Sequence, residues 1–87
     1  MVYSKNKNMD YIPTDNTTIA VFDPDSGDTM FMDETATDIL NSLEEPCDLE
    51  TLLERLCQIY DASADDIRTD VIEFLDELTE KKVITAQ

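Results

Sequence analysis

Few residues in this sequence could carry out covalent or metal chemistry. The chain has no histidine, and its two cysteines, Cys47 and Cys57, are ten residues apart. Structural zinc sites usually take four cysteine or histidine ligands in closely spaced pairs, so these two do not predict one. A glycine-rich phosphate loop and a nucleophile with a base nearby in sequence are also missing. We therefore predict no catalytic residue, no metal and no cofactor, with Cys57 in a helix core and Cys47 as a loop thiol.

Ser42 has neighbours that suggest a covalently attached carrier group. The run Asn41-Ser42-Leu43 is similar to the Asp-Ser-Leu around the phosphopantetheine serine of acyl carrier proteins, which are also small and acidic. That serine stands at the start of a helix, whereas Ser42 is predicted to lie in the last turn of one. An acyl or peptidyl carrier protein is therefore kept as an alternative function.

The charge of the chain restricts its partners. Its 87 residues include 21 acidic and 6 basic side chains, which gives a formal net charge of −15. Binding to nucleic acid or to an anionic membrane needs a surface of Lys and Arg, and the only basic clusters are Lys5/Lys7 and Lys81/Lys82. A winged-helix nucleic-acid binder would suit the predicted order of elements, but its recognition helix would be acidic. We predict neither a nucleic-acid partner nor a membrane partner.

The length of the chain indicates one domain with a modest core. Residues 1–8 are polar and are predicted to form a flexible N-terminal tail, which leaves 9–87 as a single domain. The first ten residues have no apolar run of the kind found in signal peptides, and no segment reaches the length of a membrane span. We expect a cytoplasmic protein.

Three short strands are predicted in the first part of the chain. Residues 17–23 are rich in β-branched and aromatic side chains, and 24–28 form a turn sequence that holds the single glycine. Residues 29–32 then form the returning strand, and 10–13 could form the first strand. The strand at 29–32 is expected at a sheet edge, where unpaired backbone groups can accept an extended peptide.

Three amphipathic helices are predicted after the strands, because apolar residues recur at spacings of three and four. Asp33, Asp48 and Ser63 are the expected N-caps. The first helix should stop near Glu45, before Pro46, and the second should follow Asp48. The third should carry Lys81 and Lys82 in its last turn, while a fold-back of Val83 and Ile84 onto the sheet is left open. The apolar stripe of the third helix is Ile67, Val71, Phe74, Leu75 and Leu78. This order of elements predicts the α+β class.

Three segments of the sequence resemble the PqqD-like family. They are IAVFDPDSGDTMFMDETA at 19–36, DLETLLERL at 48–56 and DVIEFLDEL at 70–78. The likeness extends over residues 18–84. Members of this family are peptide-recognition domains, or peptide chaperones, of pathways that modify ribosomally made peptides. Two positions depart from the family pattern, since Asp33 stands where Asn is usual and Lys82 stands where Gly often precedes the closing apolar pair.

The resemblance implies a winged-helix-like α+β fold, a three-stranded antiparallel sheet followed by three helices, without catalysis of its own. It also implies that the leader segment of a precursor peptide adds as a further strand beside the third strand and rests against the third helix. The domain would present that precursor to a modifying enzyme, such as a radical SAM maturase, a lasso-peptide protease or a cyclase. The corresponding positions in this sequence are Thr29, Met30, Phe31 and Met32 on the strand, with Ile67, Asp70, Val71, Phe74 and Leu78 on the helix.

The same positions also have simpler interpretations. Met30 and Met32 could fill the core, and an apolar stripe at helical spacing is more often core than binding site. Asp70, Glu73 and Glu77 would form a solvated face, or alternatively would attract a basic leader or a basic patch on the modifying enzyme.

Overall fold

The structure is a computed structural model that describes residues 1–15 and 17–87. Its α+β architecture confirms the predicted class: a three-stranded antiparallel sheet is followed by three helices, and a second, two-stranded sheet joins the ends of the chain. The strands are β1 (Tyr3–Lys5), β2 (Asp10–Pro13), β3 (Ile19–Phe22), β4 (Thr29–Phe31) and β5 (Ile84–Ala86), and the helices are α1 (Glu34–Ser42), α2 (Leu49–Ile59) and α3 (Ala64–Glu80).

The three-stranded sheet has the order β2-β3-β4, with antiparallel pairs throughout. The turn between β3 and β4 is the one predicted from the sequence, and Gly27 adopts a φ of 78°, a left-handed conformation that glycine enters without steric cost. The Gly27 amide donates to the Asp23 carbonyl at 2.7 Å, and the Asp23 amide donates to the Asp28 carbonyl at 2.8 Å. Since β4 pairs with β3 alone, it lies at an edge of this sheet.

The N-terminal residues differ from the predicted tail over 1–8. Tyr3–Lys5 form β1, which pairs with β5 at the other end of the chain, and Tyr3 also bridges to Cys47. The Ser4 and Thr85 hydroxyls lie 2.9 Å apart across this pair. Residues 3–5 are too few to show an apolar alternation that would identify them as a strand in the sequence. The strand is stabilised by its pairing with β5, some eighty residues away. Val83 and Ile84 therefore fold back toward β1, and both are buried.

The helix N-termini match the sequence closely. Asp33, Asp48 and Ser63 are the N-caps, and their side chains accept from the amides of Ala36, Thr51 and Asp66. The C-terminus of the first helix differs from the prediction, because α1 ends at Ser42 rather than near Glu45. The Arg55 guanidinium donates to the carbonyls of Ser42 at 2.7 Å and Glu45 at 3.0 Å, so a side chain from α2 supplies the donors that a longer helix would have supplied.

The C-terminus of α3 also differs from the prediction. The helix ends at Glu80, so Lys81 is its C-cap and Lys82 lies beyond it, rather than both in the last turn. Lys82 has a φ of 64°, its amide donates to the Thr79 carbonyl, and the Val83 amide donates to the Leu78 carbonyl. This pair of bonds is the Schellman motif, in which glycine normally occupies the left-handed position. The helix thus terminates sharply although Lys82 replaces the glycine.

The core lies between the inner face of the three-stranded sheet and the helices, and it extends to β5. Cys47 lies in the connection between α1 and α2, as predicted, but it is buried and burial raises its pKa. Cys57 is on α2 but only half-buried, so its predicted place in the helix core is wrong. The strand bridge from Tyr3 covers Cys47. No helix in residues 1–15 or 17–87 is long and apolar enough to cross a membrane. The fully buried core residues are Val21, Ile39, Leu40, Leu43, Leu52, Leu53, Leu56, Leu75, Val83 and Ile84.

Candidate functional site

The open edge of β4 presents a defined set of backbone groups. In an antiparallel pair, residues alternate between those bonded to the partner strand and those whose N–H and C=O point away from it. The Met32 amide donates to the Ile19 carbonyl at 3.0 Å and the Asp23 amide donates to the Asp28 carbonyl, which fixes the phase of this alternation. Met30 is therefore a bonded position, and the backbone groups of Thr29 and Phe31 face the open edge.

The other edge of this sheet is a poorer acceptor of a guest strand. The Thr14 amide donates to the Thr18 carbonyl at 3.2 Å, so the same alternation places the backbone groups of Tyr11 and Pro13 on the outer side of β2. Pro13 has no N–H and cannot donate to an added strand. In the two-stranded sheet, the side of β1 away from β5 is occupied at Tyr3 by the bridge to Cys47. The edge of β4 thus offers two outward N–H donors, whereas the edge of β2 offers only that of Tyr11.

A groove of about 120 Å³ lies beside the end of β4. Met32 and Leu78 are buried at its base and Phe74 is half-buried, so its floor is apolar. Charged side chains border the groove, and the Lys81 ammonium lies 2.9 Å from the Glu77 carboxylate. Its lining comes from β4, the start of α1 and the second half of α3: Phe31, Met32, Asp33, Ala36, Phe74, Glu77, Leu78 and Lys81.

A second cavity, of about 160 Å³, lies farther along α3 between the three helices. Tyr60 borders it, and the Tyr60 hydroxyl donates to the Asp38 carboxylate. Burial, together with the hydrogen bond and charge of Asp38, raises the pKa of Tyr60 to about 12. The lining residues are Thr35, Ile39, Leu56, Tyr60, Ile67, Asp70 and Val71.

The nine residues predicted as the site therefore fall into three groups. Phe31, Met32, Phe74 and Leu78 line the groove, whereas Ile67, Asp70 and Val71 line the second cavity. Thr29 and Met30 line neither, since Thr29 is exposed on the strand and Met30 packs against the core.

Sequence reasoning missed Asp33, Ala36 and Lys81 of the groove, and it gave Glu77 only as a charge that could attract a basic leader. Asp33 and Ala36 had an available signal, because they directly follow the edge strand and begin the first helix. Glu77 and Lys81 follow the groove residues Phe74 and Leu78 by three residues, a spacing that places them on the same side of a helix.

Among the residues that the structure describes, no three His, Cys, Asp or Glu side chains are grouped to hold a metal ion. Ser42 is the last residue of α1, and its carbonyl accepts from Arg55. Ser42 therefore lies at the end of a helix, where the sequence predicts it, and not at a helix start, where a carrier serine belongs.

Comparisons with known proteins bear on this site. A family model described as "Coenzyme PQQ synthesis protein D (PqqD)" matches residues 18–84. No curated protein sequence matches the chain. A solved structure described as "TbiB1 in Complex with the TbiA(beta) Leader Peptide" superposes with a TM-score of 0.82 at 17% sequence identity, and the alignment covers 97% of this chain and 96% of that one. The fold is therefore shared almost from end to end.

Proposed function

Because the chain belongs to the PqqD family, we propose that it binds the leader segment of a ribosomally synthesised precursor peptide and presents it to a maturation enzyme. The observation that carries this proposal is the open edge of β4 beside a groove on α3 that has an apolar floor and a charged border. The solved structure with the same fold is described as a complex with a leader peptide, which supports this choice of ligand.

The backbone of β4 would supply affinity with little dependence on leader sequence. A guest strand would bond to the outward N–H and C=O groups of Thr29 and Phe31, extending the sheet to four strands. Alternate side chains of an extended strand point to opposite faces, so every second leader residue would face the groove. The apolar base at Met32 and Leu78 would then select apolar leader side chains.

The helix would supply the second contact and the charge preference. Phe74 and Leu78 would pack against the leader, while Ile67, Asp70 and Val71 would contact a leader that continues to the second cavity. Asp70, Glu73 and Glu77 on α3 are exposed. A leader with Lys or Arg near its apolar anchor would therefore associate faster at low salt.

The proposed role is non-catalytic and takes no cofactor. The chemistry would belong to the modifying enzyme, such as a radical SAM maturase, a lasso-peptide protease or a cyclase. Since precursors of this kind are made on ribosomes, the protein would act in the cytoplasm.

Chemical-shift mapping tests the proposal. The ¹⁵N-labelled protein would be titrated with the leader peptide of the precursor encoded beside its gene, with a scrambled peptide of the same composition as control. We expect the largest amide shift changes at residues 29–33 and 74–81. Changes confined to other parts of the chain would reject this site, and an absence of saturable changes would reject leader binding.

A further inference from the structure

The face of the three-stranded sheet that points away from the core carries a row of apolar side chains. The pairing register places Ile12, Ala20 and Phe31 side by side across the three strands. Phe31 is 79% exposed and Ile12 is 48% exposed, whereas Ala20 between them is 4% exposed. We name this row, together with the neighbouring half-buried Phe22, the outer-face patch.

The outer-face patch is costly to leave in water. Burial of side chains the size of Ile and Phe is favourable, and adjacent exposed apolar residues on a sheet promote aggregation. The other exposed large apolar side chains among the described residues are Met1 and Val2 at the N-terminus, Ile59 on α2 and Ile72 on α3, and none of them lies on this sheet. Two large side chains in one cross-strand row therefore indicate a surface that becomes covered.

Carboxylates border the outer-face patch at its hairpin end. Asp10 lies in the adjacent row, opposite Phe22, and the hairpin turn contributes Asp23, Asp25 and Asp28. In the part of the chain that the structure describes, none of these four side chains makes an ion pair. The partner that complements this surface therefore has an apolar centre and a rim of Lys and Arg.

We propose that the outer-face patch docks the maturation enzyme, through an enzyme surface with an apolar centre and a basic rim. This inference rests on the proposed function. A second copy of the chain suits the patch poorly, since each copy has a charge of −15 and would bring its own aspartates to the contact. A stable interface buries about 800 Å² on each partner, far more than these few side chains provide, so the contact fits a transient delivery complex.

The location of the outer-face patch is consistent with delivery. Phe31 contributes its side chain to the patch, and its backbone faces the edge where the leader would add. An enzyme docked on this face would therefore lie against the bound leader. Ile12 is on β2, two strands and about 10 Å from β4, so its side chain can contact the enzyme without touching the leader.

Ile12→Lys tests the inference, with Ile59→Lys as the matched control. Ile59 is also an exposed isoleucine, 55% exposed, on a different face. The full chain, the leader and the maturation enzyme encoded beside it would be used. Fluorescence anisotropy would measure leader binding, and biolayer interferometry would measure enzyme binding. We expect Ile12→Lys to weaken enzyme binding about tenfold or more and to leave leader affinity within about twofold, whereas Ile59→Lys should change neither.

The double variant Asp25→Lys with Asp28→Lys is a second test, because it alters an exposed turn without replacing a strand residue. It should weaken enzyme binding most at low salt. Unchanged enzyme binding in both variants would overturn the docking proposal while leaving leader binding intact. Loss of a concentration-dependent dimer in Ile12→Lys, seen by sedimentation, would assign the patch to a second copy instead. A wild-type chain that fails to bind the leader would refute the proposed function itself.

Discussion

Replacing Thr29 with proline tests whether a guest strand uses the edge of β4. The Thr29 N–H points away from β3, and its side chain is exposed. Proline is tolerated on edge strands where the missing N–H would face solvent, so the pairing of Met30 with Val21 should persist. Thr29→Pro therefore removes a donor to the leader without removing a bond of the folded protein.

The size of the effect follows from the hydrogen bond that is lost. Thr29 is exposed and lies outside the groove, so the leader carbonyl that would accept from it can bond to water instead, and the net loss of one hydrogen bond costs about 0.5–1.5 kcal/mol. At about 1.4 kcal/mol for each factor of ten, the Kd should rise between about 2-fold and 12-fold. Stability should change little, because the position is at the surface.

Fluorescence anisotropy with a labelled leader peptide would measure the Kd, and urea unfolding would measure stability. Thr29→Val is the matched control, since it keeps the N–H and a β-branched side chain. Its affinity should equal that of the wild type. A folded Thr29→Pro variant that binds the leader as tightly as Thr29→Val would refute strand addition at this edge.

Two further predictions concern helix ends. Lys82→Gly should raise the free energy of unfolding by about 1 kcal/mol, because Lys82 has a φ of 64° at a Schellman position; urea unfolding would test this, and a destabilised variant would contradict it. Asp48→Ala should lower the Tm, since Asp48 caps α2. The Thr51 amide lowers the pKa of Asp48, so the cap stabilises the fold above the ordinary pKa of about 3.9 and is lost as pH falls below it. The Tm difference from the wild type should therefore shrink on acidification; a constant difference between pH 7 and pH 3 would exclude the carboxylate as the cause.

The sequence predicts features of the fold that depend on local residues. Asp33, Asp48 and Ser63 are confirmed as N-caps because each cap bonds to an amide only three residues ahead. The hairpin turn at Gly27 is confirmed for the same reason, since a left-handed position near a sheet needs glycine within the turn itself. Signals of this kind are complete within a few residues of sequence.

Features that depend on distant partners were beyond the reach of the sequence pattern. The strand Tyr3–Lys5 pairs with β5 at the other end of the chain, and the carbonyl of Ser42 at the end of α1 accepts from Arg55 on α2. The turn at Lys82 also depends on distant residues, because nothing in the lysine side chain favours a positive φ. Its turn is held by distant donors instead, since the Asn6 side chain donates to the Lys82 carbonyl at 2.7 Å and the Tyr11 hydroxyl donates to the Val83 carbonyl at 2.7 Å.

The candidate site was predicted in part for the same physical reason. An edge position for residues 29–32 follows from the order of the strands, and the structure places β4 at the edge. Spacing alone does not predict how the site residues of α3 divide between the groove and the second cavity, because Ile67 and Phe74 lie on one stripe of this helix. Packing of α1 against α2 and α3 decides it, by making one end of that stripe line the groove and the other the second cavity.

The acidic charge opposes the self-association that an open strand edge would invite. An exposed edge next to Phe31 would invite a second copy to pair with it, and proteins usually block such edges with charge or proline. Pro13 serves this purpose on β2, but proline at Thr29 would remove a donor that the proposed leader needs. A net charge of −15 opposes contact between copies without altering any backbone group of β4. The same charge attracts a basic guest, so repulsion between copies and recruitment of a leader would come from one feature of the sequence.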